Sequence, residues 1–383
     1  MQDTDVCIPL PLQIVFDDVG WWSGTDDSKQ NGPYRTGISR RHVPADYLAI
    51  AELGRRLNMR PQAAMILCEW DRKNILKNVP SATWMGESWD NSANVGPQLD
   101  EAADIIRSNS KHFEITLHGL GHEFWHKDGT FSRAEWADDT GLRPEEEIKL
   151  HLDYFCRIMA MNTLGGFPKS FVPCAFKYAF GGNNILTRLL RDSGVEYVST
   201  AFNCMKTFET PQFKLFGIDD SMFVVERGNE PGVAWYSIGG GAPEKIIEGC
   251  ICGLHWPNIL HPDPERNLEV VERWVKYFEA HARTFTKILA RDTLHHRAQL
   301  AYCNLTDLQI KDKELTLDFS KFFKMFDHHF HEGVTLRIKN NKICEAVSGD
   351  ARLAVVNNAG SDFSGINIIF DDCRQRQVKI TLK

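Results

Sequence analysis

The sequence lacks an apolar run long enough to cross a bilayer, which sets aside a helical transmembrane protein. Basic residues are in the minority. Lys and Arg number 44 against 51 Asp and Glu, the formal net charge is -7, and no basic stripe stands out. Nucleic acid is therefore not an expected partner, and neutral or cationic substrates fit better than polyanions. The 10 cysteines contain no C-x-x-C pair. Only Cys250 and Cys252 stand close together, and alternate residues of a strand face opposite ways, so those thiols are not expected to share a metal. Buried, reduced cysteines are the reading, which favours a reducing compartment. The opening residues, Met1-Gln2-Asp3-Thr4-Asp5, are polar and acidic, unlike a secretory leader. An exported protein trimmed of its leader would read the same way, so the compartment stays open, as does the oligomeric state.

What is present reads as an ordinary globular protein: 43% hydrophobic and 25% charged over 383 residues, enough for two domains or a barrel with an appendage. The first three quarters alternate short apolar runs with amphipathic patterns. Helices are expected near 44–57, 98–107, from Pro144 toward Gly165, 183–192 and 263–284. Pro144 followed by Glu145, Glu146 and Glu147 suits a helix start, and Ile148, Leu152, Phe155 and Met159 form its apolar stripe. Strands are expected at 63–68, 113–117, 170–174, 195–199 and 222–226, besides the runs that end at Asp17 and His255. Alternation of this kind implies parallel pairing through right-handed crossovers, in six or seven units, a barrel related to the eight-fold form. From about Asp292 the period becomes two, with Asn340-Asn341 as a turn before Ile343, which predicts a small antiparallel β domain, sandwich-like. The expected division is 1–290 for the barrel and 291–383 for the accessory domain.

Three apolar runs close with chemistry. Leu12-Gln13-Ile14-Val15 leads into Phe16-Asp17-Asp18-Val19; Phe113-Glu114-Ile115-Thr116-Leu117 into His118-Gly119-Leu120-Gly121-His122; and Cys250-Ile251-Cys252-Gly253-Leu254 into His255. Carboxyl ends of parallel strands are where α/β folds keep their sites. His118 and His122, four apart, would share one side of a helical turn and suit a single ion, although such a pair is often only polar surface. Asp17 and Asp18 read equally as a turn pair or as a metal ligand beside a base. Two histidines and one carboxylate leave coordination positions open, the catalytic rather than the structural arrangement. His126 extends the series toward substrate. Trp21, Trp22, Trp70, Trp84 and Trp89 lie in the loops after the first two strands and read as sugar-stacking platforms or as loop packing.

Phe16-Asp17-Asp18, His118-x-x-x-His122 and Leu254-His255 together resemble the motifs of NodB-type polysaccharide deacetylases, carbohydrate esterase family four, in a divergent form with an Asp-Asp-Val first motif. The resemblance covers roughly residues 10–285. It implies a distorted (β/α) barrel and a metal-dependent hydrolase that removes N- or O-linked acetyl groups from a carbohydrate, with one divalent ion, Zn2+ the first choice. Asp17 then stands for the base, Asp18, His118 and His122 for the metal ligands, His255 for the general acid, and the backbone N–H of Cys174 for the oxyanion donor. Trp21, Trp22, His126 and Trp256 are the expected substrate contacts; His261 is a weaker alternative acid.

The pattern is incomplete. Members carry an arginine two residues before a proline, and Phe171-Val172-Pro173 has phenylalanine there; Lys169 or Lys177 would have to substitute. The later aspartate-tryptophan motif has only Asp219 and Asp220 as candidates. Two other readings therefore stay open: a carbohydrate-binding protein on a weakened esterase barrel, and a distorted-barrel glycosidase. The latter requires two carboxylates about 5–9.5 Å apart.

Overall fold

The computed structural model describes residues 5–25, 33–339, 344–348, 351–356 and 362–382. The predicted Asn340-Asn341 turn and Ile343 lie outside them. The chain forms two compact units, residues 13–277 and residues 1–12 with 278–383. Residues 1–12 and 278–290, expected in the barrel, thus group with the C-terminal strands.

The larger unit is built on a curled sheet of eight strands: β1 (Leu10–Val19, of which Gln13 onward belongs to this unit), β2 (Gln62–Ile66), β3 (Glu114–Gly119), β4 (Ser170–Phe171), β5 (Tyr197–Thr200), β6 (Phe216–Asp219), β7 (Met222–Glu226) and β8 (Ile251–His255). Their spatial order is β6-β7-β5-β4-β3-β2-β1-β8. Seven are mutually parallel, and β6 alone is antiparallel, hairpinned to β7. Parallel neighbours need crossovers, and helices α1 (Pro44–Leu57), α2 (Pro97–Ser108), α3 (Glu145–Met161) and α4 (Ile185–Asp192) provide them. Covered on both faces, the strands carry almost unbroken apolar runs; all five residues of β2 are buried, as are nine of the ten in β1. The sheet's path ends at β6 and β8. Among the described residues no ladder joins those ends, but the segment after β7 crosses the gap, where Gly253 N–H donates to the Glu230 carbonyl at 2.9 Å.

In the smaller unit, two four-stranded antiparallel sheets bury alternating residues: Leu315, Leu317, Val378 and Ile380 in one, Val334, Leu336, Ile338, Ile366 and Ile368 in the other. The strand Val6–Cys7 adds to the second sheet beside Val334–Lys339. Lys287–Leu289 pairs with Leu10–Leu12. One helix was unexpected here. Thr293–Leu305 falls where period two was predicted to begin, with the Asp292 side chain accepting from His295 N–H as its cap.

Candidate active site

Register alone brings the acids and one imidazole to a common level: Asp17 pairs with His255 across β1 and β8. At the end of β1 the backbone turns left-handed, with Asp18 at φ 60°. This turn sends the two adjacent carboxylates to different neighbours. Asp17 faces Arg227 and His255; Asp18 faces His118, His122 and His255.

His118 and His122 do meet, though not by helical spacing. His118 is still in β3, and the chain then folds back tightly until His122 reaches φ 67°. Glu135 grips this turn, its carboxylate accepting from Leu120 N–H at 3.0 Å, Gly121 N–H at 3.1 Å and His151 Nδ1 at 2.7 Å. Gly121 is obligatory because a Cβ there would sit 1.9 Å from the Ala82 carbonyl oxygen.

Asp18 Oδ1 lies 3.5 Å from His118 Nε2 and 3.8 Å from His122 Nε2, is buried, and has no hydrogen-bond partner among the described residues. His118 Nδ1 stands 2.6 Å from the Val172 carbonyl, to which it donates; the tautomer leaves the Nε2 lone pair facing Asp18. An orphaned carboxylate oxygen among imidazole nitrogens fits a divalent cation. Burial opposes ionisation of Asp18, but the three surrounding imidazoles outweigh it and hold the carboxyl at about 2. For His122 burial works against the proton, and the Glu123, Asp18 and Glu135 carboxylates more than offset it, so the affinity rises. Burial lowers that of His255, with Asp17 and Asp18 offsetting part of the effect.

A second grouping, His118, His122 and Cys174, also gathers donor atoms within 4.8 Å. The Cys174 thiol is already engaged, donating to the His118 carbonyl at 3.3 Å, and burial pushes its proton affinity well above normal. The Asp18 oxygen, unlike that thiol, is not committed to another partner among the described residues.

The arginine missing before Pro173 has a counterpart elsewhere. Arg227, just past β7, donates from Nη1 to Asp17 Oδ1 at 2.8 Å and from Nη2 to Oδ2 at 2.6 Å, a buried bidentate pair. Its path crosses β8 at Gly253, where an added Cβ would lie 2.5 Å from Arg227 Nε. The only sequence signal was that glycine inside an apolar strand, a mark of close approach. The lysines considered for this task are turned outward: Lys169 pairs with Glu196 and Lys177 with Asp139. Phe171 is fully buried in β4. Asp219 accepts from Tyr178 and Thr187, Asp220 pairs with Arg191, and neither belongs to the cleft. His261 bonds within its own loop.

Asp17, Asp18, His118, His122 and His255 line a cleft of about 330 Å³ with Tyr34, Arg133, Ala175 and Phe176. Of the eleven non-glycine residues with left-handed backbone among the described residues, four, Asp18, His122, Ala175 and Phe176, are in its wall. Such strain concentrates where geometry is functional. Ala175 and Phe176 directly follow Cys174.

The expected tryptophan platforms are not there. Trp21, Trp22 and Trp256 are at most 1% exposed: Trp21 lies under the Arg35 guanidinium, Trp22 packs on Tyr47 and Trp70, and Trp256 stacks on His42. Trp70 and Trp89 are also buried. Apolar surface of this size gains more from the core than from display. The aromatic wall comes instead from Tyr34, stacked on His122 at 4.6 Å, and from Phe176; Trp235 packs against Tyr34 and His255. His126 is exposed and bonded to Ser132, outside this cleft.

No protein-family model matches the chain, and no curated protein does. Among solved structures it is similar to a family 4 carbohydrate esterase from Streptomyces lividans in complex with acetate. That likeness is 11% identical, covers 72% of this chain and 90% of that one, and has a TM-score of 0.30. It is also similar to a Mycobacterium smegmatis protein assigned as a polysaccharide deacetylase, 14% identical over 65% of this chain and 64% of that one, with a TM-score of 0.29.

Proposed function

We propose that this chain is a metal-assisted hydrolase that removes acetyl groups from a carbohydrate. The observation that carries the reading is the division of labour between neighbours: Asp18 leaves one buried oxygen unpaired toward His118 and His122, while Asp17 is fixed by Arg227 beside His255. Asp18, His118 and His122 would hold the ion, with Zn2+ suited to nitrogen and oxygen donors. When bound, a divalent ion supplies polarisation of the acyl carbonyl and acidification of water.

The remaining steps fall to the chain. Arg227 orients both oxygens of Asp17, so the carboxylate is poised to take the proton of the attacking water. The backbone N–H of Cys174, at the start of the strained 174–176 segment, is assigned to the developing oxyanion, a contact commonly worth ~3 kcal/mol. His255, with Nε2 4.0 Å from Asp17 and 3.7 Å from Asp18, is placed to protonate the departing nitrogen or oxygen. The small cleft suits an acyl group on a single sugar unit, with Tyr34 and Phe176 as its aromatic lining.

The absence of the usual arginine favoured a binding protein without activity; Arg227 removes that motive. A glycosidase would need carboxylates on either side of the bond, whereas Asp17 and Asp18 both lie within 4.0 Å of one imidazole nitrogen. The test combines elemental analysis with acetate release from acetylated glycosides and polymers. Wild-type protein should contain stoichiometric divalent metal and release acetate. A metal-bearing protein silent across N- and O-acetyl substrates would overturn the reading.

A further inference from the structure

The carboxylate oxygens that flank His255 Nε2 stand 3.7 and 4.0 Å away, beyond the reach of an ordinary hydrogen bond. The aim of this ring then depends on the backbone at the end of β8 and on what packs beside it.

Asn258 reaches both. It is 1% exposed, in the turn Trp256–Ile259 that follows β8. Its Oδ1 accepts from His255 N–H at 2.8 Å, and its Nδ2 donates to the carbonyls of Ala234 and Ser237, each at 2.9 Å. One donor and two acceptors around the amide admit a single orientation of it. Those carbonyls stand on either side of Trp235 in the chain, and Ser237 N–H donates back to the Ala234 carbonyl at 2.9 Å, so the tryptophan rides on a closed turn. The Trp235 ring packs against His255 at 6.4 Å and Tyr34 at 5.1 Å, both of which line the cleft. The fully buried Trp274 donates from Nε1 to the Asn258 carbonyl at 3.0 Å and anchors the brace. Capping the turn after β8 needs only the acceptor. The two donors serve the segment that carries Trp235, 24 and 21 residues earlier in the chain.

We infer that Asn258 is a positioning residue for the deacetylation, one amide whose acceptor half seats the backbone of His255 and whose donor half seats Trp235 beside it. The inference rests on the deacetylase reading. The two halves are separable by substitution: Asn258→Ala removes both, and Asn258→Asp keeps the acceptor while losing the two N–H donors. With acetate release measured per bound metal ion, Asn258→Ala should lower kcat about 100-fold, the cost of a misplaced reacting group. Asn258→Asp should keep kcat close to the wild-type value and raise KM by up to about 10-fold, as an aromatic contact is worth. Trp235→Ala should raise KM alike, and combining it with Asn258→Asp should raise KM no further. A purely structural amide would lower the melting temperature of both Asn258 variants with kcat and KM unchanged, and that result overturns the inference. So does an Asn258→Asp protein that loses kcat as fully as Asn258→Ala. Should neither variant fold, hydrogen exchange on the wild type decides: comparable protection of the His255 and Ser237 N–H groups supports a shared brace, and a freely exchanging Ser237 N–H overturns it. Acetate release with unaltered variants removes the brace and leaves the deacetylase standing; a wild type that releases no acetate removes both.

Discussion

Arg227 and Asp17 form a buried, bidentate pair whose two bonds measure 2.8 and 2.6 Å, although 210 residues separate them. The fork fixes both carboxylate oxygens, which a point charge on a flexible stem does not. Arg227→Met should lower kcat by about 100-fold or more at unchanged metal content. It should also cost on the order of 3–5 kcal/mol of stability, because the Asp17 charge is left buried and alone. Arg227→Lys should recover stability better than rate. Equal recovery of both in kinetics and denaturant melts would make the pair structural only.

Asp17 and Asp18 are separable by assay. Asp18→Asn or His118→Ala should strip the metal, as read by elemental analysis after dialysis, whereas Asp17→Asn should keep the ion and lose turnover. Full deacetylation by Asp17→Asn would refute its role as base.

Glu135 touches no predicted ligand side chain, yet it holds the backbone of Leu120 and Gly121 between His118 and His122. Glu135→Gln loses one acceptor oxygen and the contact to His151. Metal affinity should weaken by about 10–100-fold, the usual cost of disturbing an outer shell. A competition titration with a chelator measures it. An unchanged affinity would show that the turn holds itself.

Trp235 and Trp21 should behave oppositely. Trp235→Ala, which removes the ring packed against Tyr34 and His255, should raise KM with little change in melting temperature. Trp21→Ala removes a fully buried ring and should destabilise by about 3–5 kcal/mol. The reverse pattern in paired kinetic and melting measurements would return the stacking role to Trp21.

Acid should weaken the smaller unit through its histidines. His281 is buried, neither ring nitrogen has a partner among the described residues, and burial with Lys287 and Arg337 nearby lowers it from 6.5 to about 4. The folded state then binds fewer protons than the unfolded one between those values. Its stabilising contribution is complete above pH 6.5 and is lost as pH falls toward 4, by up to about 3 kcal/mol. His281→Leu should flatten the dependence of melting temperature on pH across that window; an unchanged slope would place the linkage elsewhere.

Much of the site was legible because strand ends are legible. Asp17, Asp18, His118, His122 and His255 close apolar runs, and parallel pairing carries such ends to one side of a sheet. Arg227 was not, because residues 203–248 show little periodicity and the bond spans the whole unit. All five loop tryptophans were read from type alone, as platforms or as packing, and four of them are buried; whether an indole packs or is displayed depends on what lies above it, and Arg35 or Tyr47 gives no local sign of that. The helix Thr293–Leu305 hid for a related reason: histidine, glutamine and arginine interrupt its apolar positions, leaving no clean stripe.

Gly253 ties Arg227 and Asp17 to a position that neither of them occupies. Any side chain there would displace the guanidinium that passes over it, so Gly253→Ala should unseat Arg227 from Asp17 while leaving both residues in place.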